Sequence, residues 1–526
     1  MADTTVITPY ATAVPFFLAA MPSWVDEYNA QRLASYDLYD DLYANRPDTS
    51  LLLRGADDKP IYVPTAKRIV NTLARYVGKD WGYEVTPGPS KDPNEDTDGD
   101  NDILNARTAF GNLYSRENLG SQFSSGKKEW LRRGDWLWYI FADESKPEGQ
   151  RISVKCIDPR TYFPMNNDAN DVDRVTGQQI VEETLADDGK TVILKIQTYV
   201  KYTDPLHPNY GSKTIPDEGF PIYYMSELYD LKDWQDPAKK KVLSTITPLT
   251  VIEGVSALPI YHIRNNAETA NPFGVSDLAG LESILAGINQ TISDEDLSLA
   301  MAGLGMYVTD SGAPVDVDTG APTTWEIGPT QVIEVSQGRS FKRLAGITSV
   351  EPSQTHVDYL EEQAYGTNGI NDIALGSRGA VTESGVALAI RMQPLFDEAD
   401  LKDQEINGVL TQMFHDLQTM WFPAFEGLNF GDVIVSSGTS RDRLPFDRAE
   451  FWTEMTTGLE SGILPLSAVH RMINEKLGYD LTEKELADAI AAQSAKMAAL
   501  DPFTNRANTE LNNTSETGDG SAATGA

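Results

Sequence analysis

Apolar residues recur at helical spacing in the first part of the chain. In PTAKRIVNTLARYVG, Ile69, Leu73 and Val77 repeat every four residues, which predicts a helix with one face against a core. The stretch SWVDEYNAQRLASYDLYDDLYA, at about 24 to 45, mixes aromatic and charged residues at the same spacing and predicts a surface helix. A third helical region is predicted from about 103 to 133.

The pattern then changes to runs of β-branched and aromatic residues separated by turn residues. These runs are WLWYIF, RISVKCI, QQIVEETL and TVILKIQTYV, and together they predict an antiparallel meander. ADDGKT, at 186 to 191, ends like a phosphate-binding loop, but Thr184 stands where that loop needs a glycine. It is therefore predicted to be a hairpin turn between two strands.

Two long helices with a β segment between them are predicted in the middle of the chain. Ser276 can cap the first helix, which carries an apolar stripe that alternates by three and four: Leu278, Leu281, Leu285, Ile288 and Ile292. EPSQTHVDYLEEQAYG predicts the second helix. TTWEIGPTQVIEVSQGRSFKRL, between them, predicts strands and turns.

A proline interrupts the helical pattern of TESGVALAIRMQPLF, at 382 to 396. Pro394 falls near the ninth or tenth position of the predicted helix, where a proline costs about 3 kcal/mol. Either one long helix bends there, or Pro394 separates two ordinary helices. The stripe resumes after the proline, at Ile406, Leu410, Met413, Leu417 and Met420, and predicts a long amphipathic helix.

Composition and charge limit the possible partners. Of 526 residues, 40% are hydrophobic and 23% charged, which is typical of a folded protein. The net charge of −35 argues against a protein that binds nucleic acid by neutralising many phosphates. MADTTVITPY carries no basic stretch before an apolar run, and AVPFFLAAMP is too short to span a bilayer, so we expect a cytoplasmic protein without a membrane partner.

Catalytic and metal-binding signatures are not found. The five histidines are scattered, and Cys156, the only cysteine, is predicted to be a small buried hydrophobe. The acidic loop 92 to 102 has Asn101 and Arg107 where a calcium-binding loop needs glycine and glutamate. We expect no cofactor.

Two acidic clusters keep one enzymatic alternative open. DEDLS, at 294 to 298, and DEADLKDQE, at 397 to 405, could supply a metal-dependent hydrolase or nuclease. Both lie within predicted helices, where carboxylates usually form the solvated face.

The order of these elements resembles the portal proteins of tailed bacteriophages over roughly residues 25 to 500. NPFGVSDL leading into a long helix and TESGVALAIRMQPL after a Gly-rich loop carry the resemblance best. It implies a helix-rich α+β portal fold that forms rings. The implied regions are 1–275 wing, 276–306 first stem helix, 307–350 clip, 351–370 second stem helix, 371–383 tunnel loop, 384–447 kinked helix and wing return, 448–500 helical crown and 501–526 disordered tail.

The resemblance also implies roles for particular residues. Gly385 and Pro394 would form the helix bend, and the apolar stripe from Leu278 to Ile292 would pack the stem. The tunnel loop facing DNA would contain Leu375, Gly376, Ser377, Arg378, Gly379 and Ala380. The clip would dock partners through Trp325, Ile327, Val332, Ile333, Lys342 and Arg343.

The implied function is structural, not enzymatic. Twelve copies would form the channel at one capsid vertex through which double-stranded DNA is packaged and ejected without sequence specificity. The implied partners are the terminase motor, head-completion or adaptor proteins, and the major capsid and scaffolding proteins. The protein would be found in the host cytoplasm during assembly and then in the virion. Another head component or adaptor is a further possibility, but it gives no reason for two long helices around a β insertion.

Overall fold

The computed structural model describes most of the chain between residues 23 and 491. The described residues are 23–46, 60–89, 101–166, 174–185, 192–216, 219–230, 242–269, 271–304, 306–310, 315–316, 318–322, 339–344, 349–376, 385–440, 448–477 and 486–491. The chain divides into two compact units, Met1–Arg443 and Leu444–Ala526.

Helices make up much of the first unit. They are α1 (Ser23–Ala44), α2 (Thr65–Tyr76), α3 (Asn101–Arg116), α4 (Leu119–Arg133), α5 (Glu282–Leu304), α6 (Glu351–Gly366) and α7 (Gly385–Asp416). A π-helix, Leu417–Glu426, continues directly from α7. Asn118, with φ of 53°, separates α3 from α4.

Twelve strands are described in the same unit. They are β1 (Gly82–Pro87), β2 (Asp135–Ala142), β3 (Ile152–Ile157), β4 (Tyr162–Met165), β5 (Gly177–Leu185), β6 (Val192–Val200), β7 (Tyr223–Asp230), β8 (Val242–Val251), β9 (Ile260–Arg264), β10 (Met306–Thr309), β11 (Phe341–Leu344) and β12 (Val433–Gly438).

The predicted meander is confirmed for QQIVEETL and TVILKIQTYV, but WLWYIF and RISVKCI lie in a separate sheet. β3, β2 and β9 make this three-stranded sheet, while β4 to β8 make a five-stranded antiparallel sheet in chain order. β2 pairs with β9, more than a hundred residues away, and no local pattern encodes that partner. β5 and β6 pair antiparallel, with Leu185 opposite Val192, but the predicted turn between them, 186–191, lies outside the described residues.

The core of the first unit is largely aromatic. Trp81 stacks on Phe123, with ring centroids 4.3 Å apart, and lies close to Trp138 and Phe414. The predicted apolar face of α2 is confirmed, since Ile69, Leu73 and Val77 are fully buried. Burial of these large side chains supplies the main stabilisation.

Two predictions about burial need correction. Helix α1 is not simply a surface helix, because Leu33, Tyr36 and Leu42 are at most 4% exposed. Cys156 is only partly buried, and its Sγ accepts a hydrogen bond from Trp136 Nε1 at 3.2 Å. Burial raises the pKa of its thiol to about 12, so the thiol stays protonated.

The second unit is helical in its described part. It contains α8 (Arg448–Glu460), α9 (Leu466–Leu477) and a helical turn at 486–491. Its small core is formed by Phe451, Met455, Val469 and Ile473. The predicted C-terminal tail lies outside the described residues.

The long predicted helices exist with altered limits. The helix predicted from 276 begins at Glu282, because Ser276–Leu281 instead form turns in which Ser276 Oγ accepts a hydrogen bond from Leu278 N. The helix predicted from 351 to 370 ends at Gly366. Helix α7 is continuous through Pro394, so the alternative of two helices separated by that proline is wrong.

Candidate functional site

Helices α5 and α6 form an antiparallel pair. Gln354 Nε2, near the start of α6, donates to Glu295 Oε1 in the second half of α5 at 3.5 Å. At the other end of the pair, Asn368 Nδ2 donates to the carbonyl of Asp277, just before α5, at 3.2 Å. The chain therefore leaves along α5 and returns along α6, with residues 305 to 350 inserted at the far end.

The predicted stem residues lie mainly in the core of the chain itself. Leu278, Leu281, Leu285 and Ile288 are at most 4% exposed. Ile292, one turn further, is only partly buried and faces a cavity of about 330 Å³ that Val357 of α6 also lines. Further along, Leu297 and Leu299 are 43% and 46% exposed. The apolar side chains of α5 are therefore buried near its beginning, which we call the base of the pair, and exposed towards its end.

Only part of the predicted clip is described. β10 and β11 pair antiparallel, with Lys342 opposite Val308 and Arg343 opposite Tyr307. Lys342 is exposed. The predicted docking residues Trp325, Ile327, Val332 and Ile333 lie outside the described residues.

The predicted tunnel loop is described at its beginning. Residues 371–376 form turns, in which Leu375 is partly buried and Gly376 is exposed with φ of 72°. Ser377, Arg378, Gly379 and Ala380 lie outside the described residues. The chain is described again from Gly385, where α7 begins.

The beginning of this loop is fixed to α7 beside Pro394. Asn371 Nδ2 donates to the carbonyl of Arg391 at 2.6 Å, and Asn371 Oδ1 accepts from Ala374 N at 2.9 Å. Arg391 Nη2 in turn donates to Asp372 Oδ1 at 2.7 Å. Because proline lacks an N–H and displaces the helix backbone near the preceding turn, an extra donor to that turn supports the helix there.

Gly369 brings the two segments into close contact. Its φ is +64°, and a Cβ added there would lie 3.0 Å from the carbonyl oxygen of Pro394. Leu395, the next residue of α7, is fully buried. Neither Gly369 nor Asn371 was predicted to have a role. Glycine and asparagine before a loop are nevertheless common where the backbone adopts a positive φ or a tight turn.

The acidic clusters do not assemble a metal site in the described part of the chain. DEDLS lies on α5 and DEADLKDQE on α7, as predicted for helical stretches. The second cluster is not simply a solvated face, because Lys402 and Asp403 are 3% and 6% exposed. Asp403 Oδ1 accepts from Gly78 N at 2.6 Å. Among the described residues, no three carboxylate, histidine or cysteine side chains could together hold a metal ion.

The described helices also bear on membrane association. None of them combines the length and the apolar composition that crossing a bilayer requires.

The described chain thus combines an antiparallel helix pair, short paired strands between its two helices, and a long helix that runs through a proline. The family model for phage portal protein, SPP1 Gp6-like, matches residues 24–473. The chain therefore belongs to this family of phage portal proteins, and the predicted resemblance is confirmed. A comparison with curated proteins finds none that matches.

Membership of the portal protein family establishes the broad role of the chain. It is a structural protein of a bacteriophage portal, with partners among the packaging and capsid proteins in general. The mixed helix and sheet content agrees with the predicted α+β class.

Proposed function

We propose that about twelve copies of the chain close into a ring at one capsid vertex and form the channel for double-stranded DNA during packaging and ejection. In this proposal α5 and α6 are the stem helices, residues 307–350 are the clip, and residues 371–383 are the tunnel loop. The chain itself has no catalytic turnover, and a terminase supplies the motor.

The observation that carries the proposal is the antiparallel α5–α6 pair with its insertion, within a chain that matches the portal family over residues 24–473. The insertion connects the end of α5 to the beginning of α6. An insertion held in this way is suited to docking the terminase first and head-completion or adaptor proteins later. The wing and crown regions would contact capsid and scaffolding proteins.

Exposed apolar side chains on the helix pair support contact between copies. Leu297 and Leu299 on α5 are 43% and 46% exposed, and Tyr359 on α6 is 56% exposed. Single exposed apolar residues are common, but several on one helix pair favour burial against a neighbour. A ring would bury them between adjacent subunits.

The charge of the chain supports passage rather than tight binding of DNA. Twelve copies at −35 each would carry about −420, so a duplex in the channel would be mainly repelled. Lys342, which is exposed, Arg343 in the clip and Arg378 in the loop would then give weak local contacts with phosphates. Weak contacts without sequence readout allow DNA to slide.

The proposal is tested by electron microscopy of the purified protein together with its mass in solution. We expect a ring with a central channel and a mass of about twelve subunits. A monomer at every concentration, also under assembly conditions, would overturn the ring.

The role of the loop is tested separately. Replacing residues 377–383 by a short Gly-Ser linker should leave the ring intact, because the contacts of the loop with Arg391 of α7 come from Asn371 and Asp372, outside the replaced segment. The same variant should lower the amount of DNA packaged per particle. Normal packaging with the replaced loop would exclude a role in holding or guiding DNA.

A further inference from the structure

A cavity of about 620 Å³ lies away from the stem, clip and loop, between strands of both larger sheets and the π-helix. Six of its lining residues are aromatic: Tyr139, Phe141, Tyr199, Tyr224, Trp421 and Phe425. Its size is within the range of sites that hold small molecules or single side chains. Such aromatic walls offer the negative faces of π-systems to a ligand.

Two tyrosine hydroxyls lie among these walls. The hydroxyl oxygens of Tyr139 and Tyr199 are 2.6 Å apart, so only one of their two protons is used between them. Burial raises the pKa of Tyr139 to about 12, which keeps its hydroxyl protonated. The second proton of the pair is a donor for a polar ligand in the cavity.

Two carboxylates complete the lining. Glu144 and Glu253 are both exposed, and within the described residues neither has a hydrogen-bond or ion-pair partner. Their negative charge, next to aromatic faces, favours a cation. A similar contact already exists nearby, where Lys155 Nζ lies 5.2 Å from the centre of the Phe141 ring.

The π-helix is an independent sign that this place has a role. Trp421 and Phe425 both belong to it, and their rings stack with centroids 5.5 Å apart. π-helical turns are rare and occur frequently at functional sites. The π-helix includes Pro423 and lies at the edge of the cavity.

We propose that the cavity binds a Lys or Arg side chain of a partner protein. The cation contacts the aromatic faces and the carboxylates of Glu144 and Glu253. The partner is a different protein and not a second copy, because 78 acidic against 43 basic residues make the surface of another copy mostly acidic. This inference is independent of ring formation, since binding can be measured on the unassembled chain.

The test uses saturation-transfer NMR on the full chain with N-acetyl-arginine amide and N-acetyl-lysine amide as probes. We expect saturation of the side-chain methylenes of both probes, and none for N-acetyl-glutamate amide. The double variant Glu144→Gln and Glu253→Gln should weaken binding by about two- to tenfold, as exposed charge pairs usually do. Glu148→Gln, in the same loop as Glu144 but outside the cavity lining, is the matched control and should bind normally.

Equal binding by the double glutamine variant, or equal saturation of the glutamate probe, would overturn the proposal. Loss of ring assembly in the double glutamine variant would show instead that the occupant is another copy.

Discussion

Lys402 and Asp277 form an ion pair in the interior of the protein. Lys402 Nζ lies 2.8 Å from Asp277 Oδ1, and the two side chains are 4% and 2% exposed. The ammonium also donates to Asn265 Oδ1 at 2.6 Å and lies 3.1 Å from Glu398 Oε1. Because Asp277 precedes α5 and Lys402 belongs to α7, the pair joins the base of the proposed stem to the long helix.

Lys402→Met should therefore destabilise the protein strongly. The substitution leaves the Asp277 carboxylate buried without its cation, which typically costs about 3–5 kcal/mol. Urea unfolding monitored by tryptophan fluorescence measures the loss. Adding Asp277→Asn to the variant should recover part of it, because the uncompensated charge is then removed.

The control is an exposed pair between α1 and the residues just after its end. Arg46 Nη1 lies 2.8 Å from Asp41 Oδ1, but Arg46 is 68% exposed. Arg46→Met should cost less than about 1 kcal/mol. If Arg46→Met and Lys402→Met lower the free energy of unfolding equally, burial does not make the Lys402–Asp277 pair more costly to break.

No pattern in the sequence predicts this buried pair. Lys402 stands among the carboxylates of DEADLKDQE, and an isolated pattern of that kind is typical of a solvated helix face. Its partners come from residues 265 to 277, more than a hundred positions away. Periodicity predicts which face of a helix is apolar, but it does not predict which polar residue meets a distant partner.

Gly369→Ala should destabilise the junction between α6 and α7. The φ of +64° is unfavourable for alanine, and the new Cβ would lie 3.0 Å from the carbonyl oxygen of Pro394. Gly376→Ala is the matched control, because Gly376 has φ of +72° but open space around its Cβ position. We expect the control to lose about 1–2 kcal/mol of unfolding free energy and Gly369→Ala to lose more. If urea unfolding gives similar losses for both variants, the contact with Pro394 does not add to the cost of the substitution.

Asn371→Ala should release the beginning of the loop from α7. It removes the donor to the Arg391 carbonyl and the acceptor for Ala374 N, with a cost of about 1 kcal/mol per bond. Hydrogen exchange of the amides at 372–376 should become faster. Asp372→Asn weakens only an exposed contact with Arg391 and is the control. If exchange at 372–376 is the same in both variants, Asn371 does not hold the loop.

Stability should depend on pH through Asp37 in α1. Burial, and then the nearby charges of Asp40 and Asp41, raise the pKa of this carboxyl to about 7. A raised pKa means that the fold favours the protonated form, so this contribution to stability is full below the ordinary pKa of an aspartate and is lost as the pH rises through 7. Asp37→Asn should match the natural chain near about pH 3 and exceed it above about pH 7. The gain should be about 1 kcal/mol, because the group is partly solvent-screened.

Urea unfolding at several pH values measures this effect. The comparison near pH 3, about one unit below the ordinary pKa of an aspartate, is the internal control, because Asp37 is then mostly protonated in both the folded and the unfolded chain. A constant difference between the variant and the natural chain from about pH 3 to about pH 8 would contradict the raised pKa.

The helices of the fold were more predictable than its sheets. A repeat such as Ile69, Leu73 and Val77 depends on neighbouring residues and specifies a helix locally. Strand partners depend on the whole chain, and the pairing of β2 with β9 could not be deduced from WLWYIF alone. The π-helix was missed for a similar reason, because Leu417 and Met420 continue the repeat of α7 while the backbone changes its hydrogen bonding.

The exposed end of the helix pair provides the most direct mutational test of the ring. Leu297→Ser and Leu299→Ser together should lower the fraction of protein in rings, because they remove apolar surface that we propose is buried between copies. They should leave the unfolding of the isolated chain almost unchanged, since both side chains are exposed there. Leu401→Ser, at a residue of α7 that is 61% exposed, is the control and should assemble normally. If the double variant assembles as well as the control, α5 does not contact a neighbouring copy through these residues.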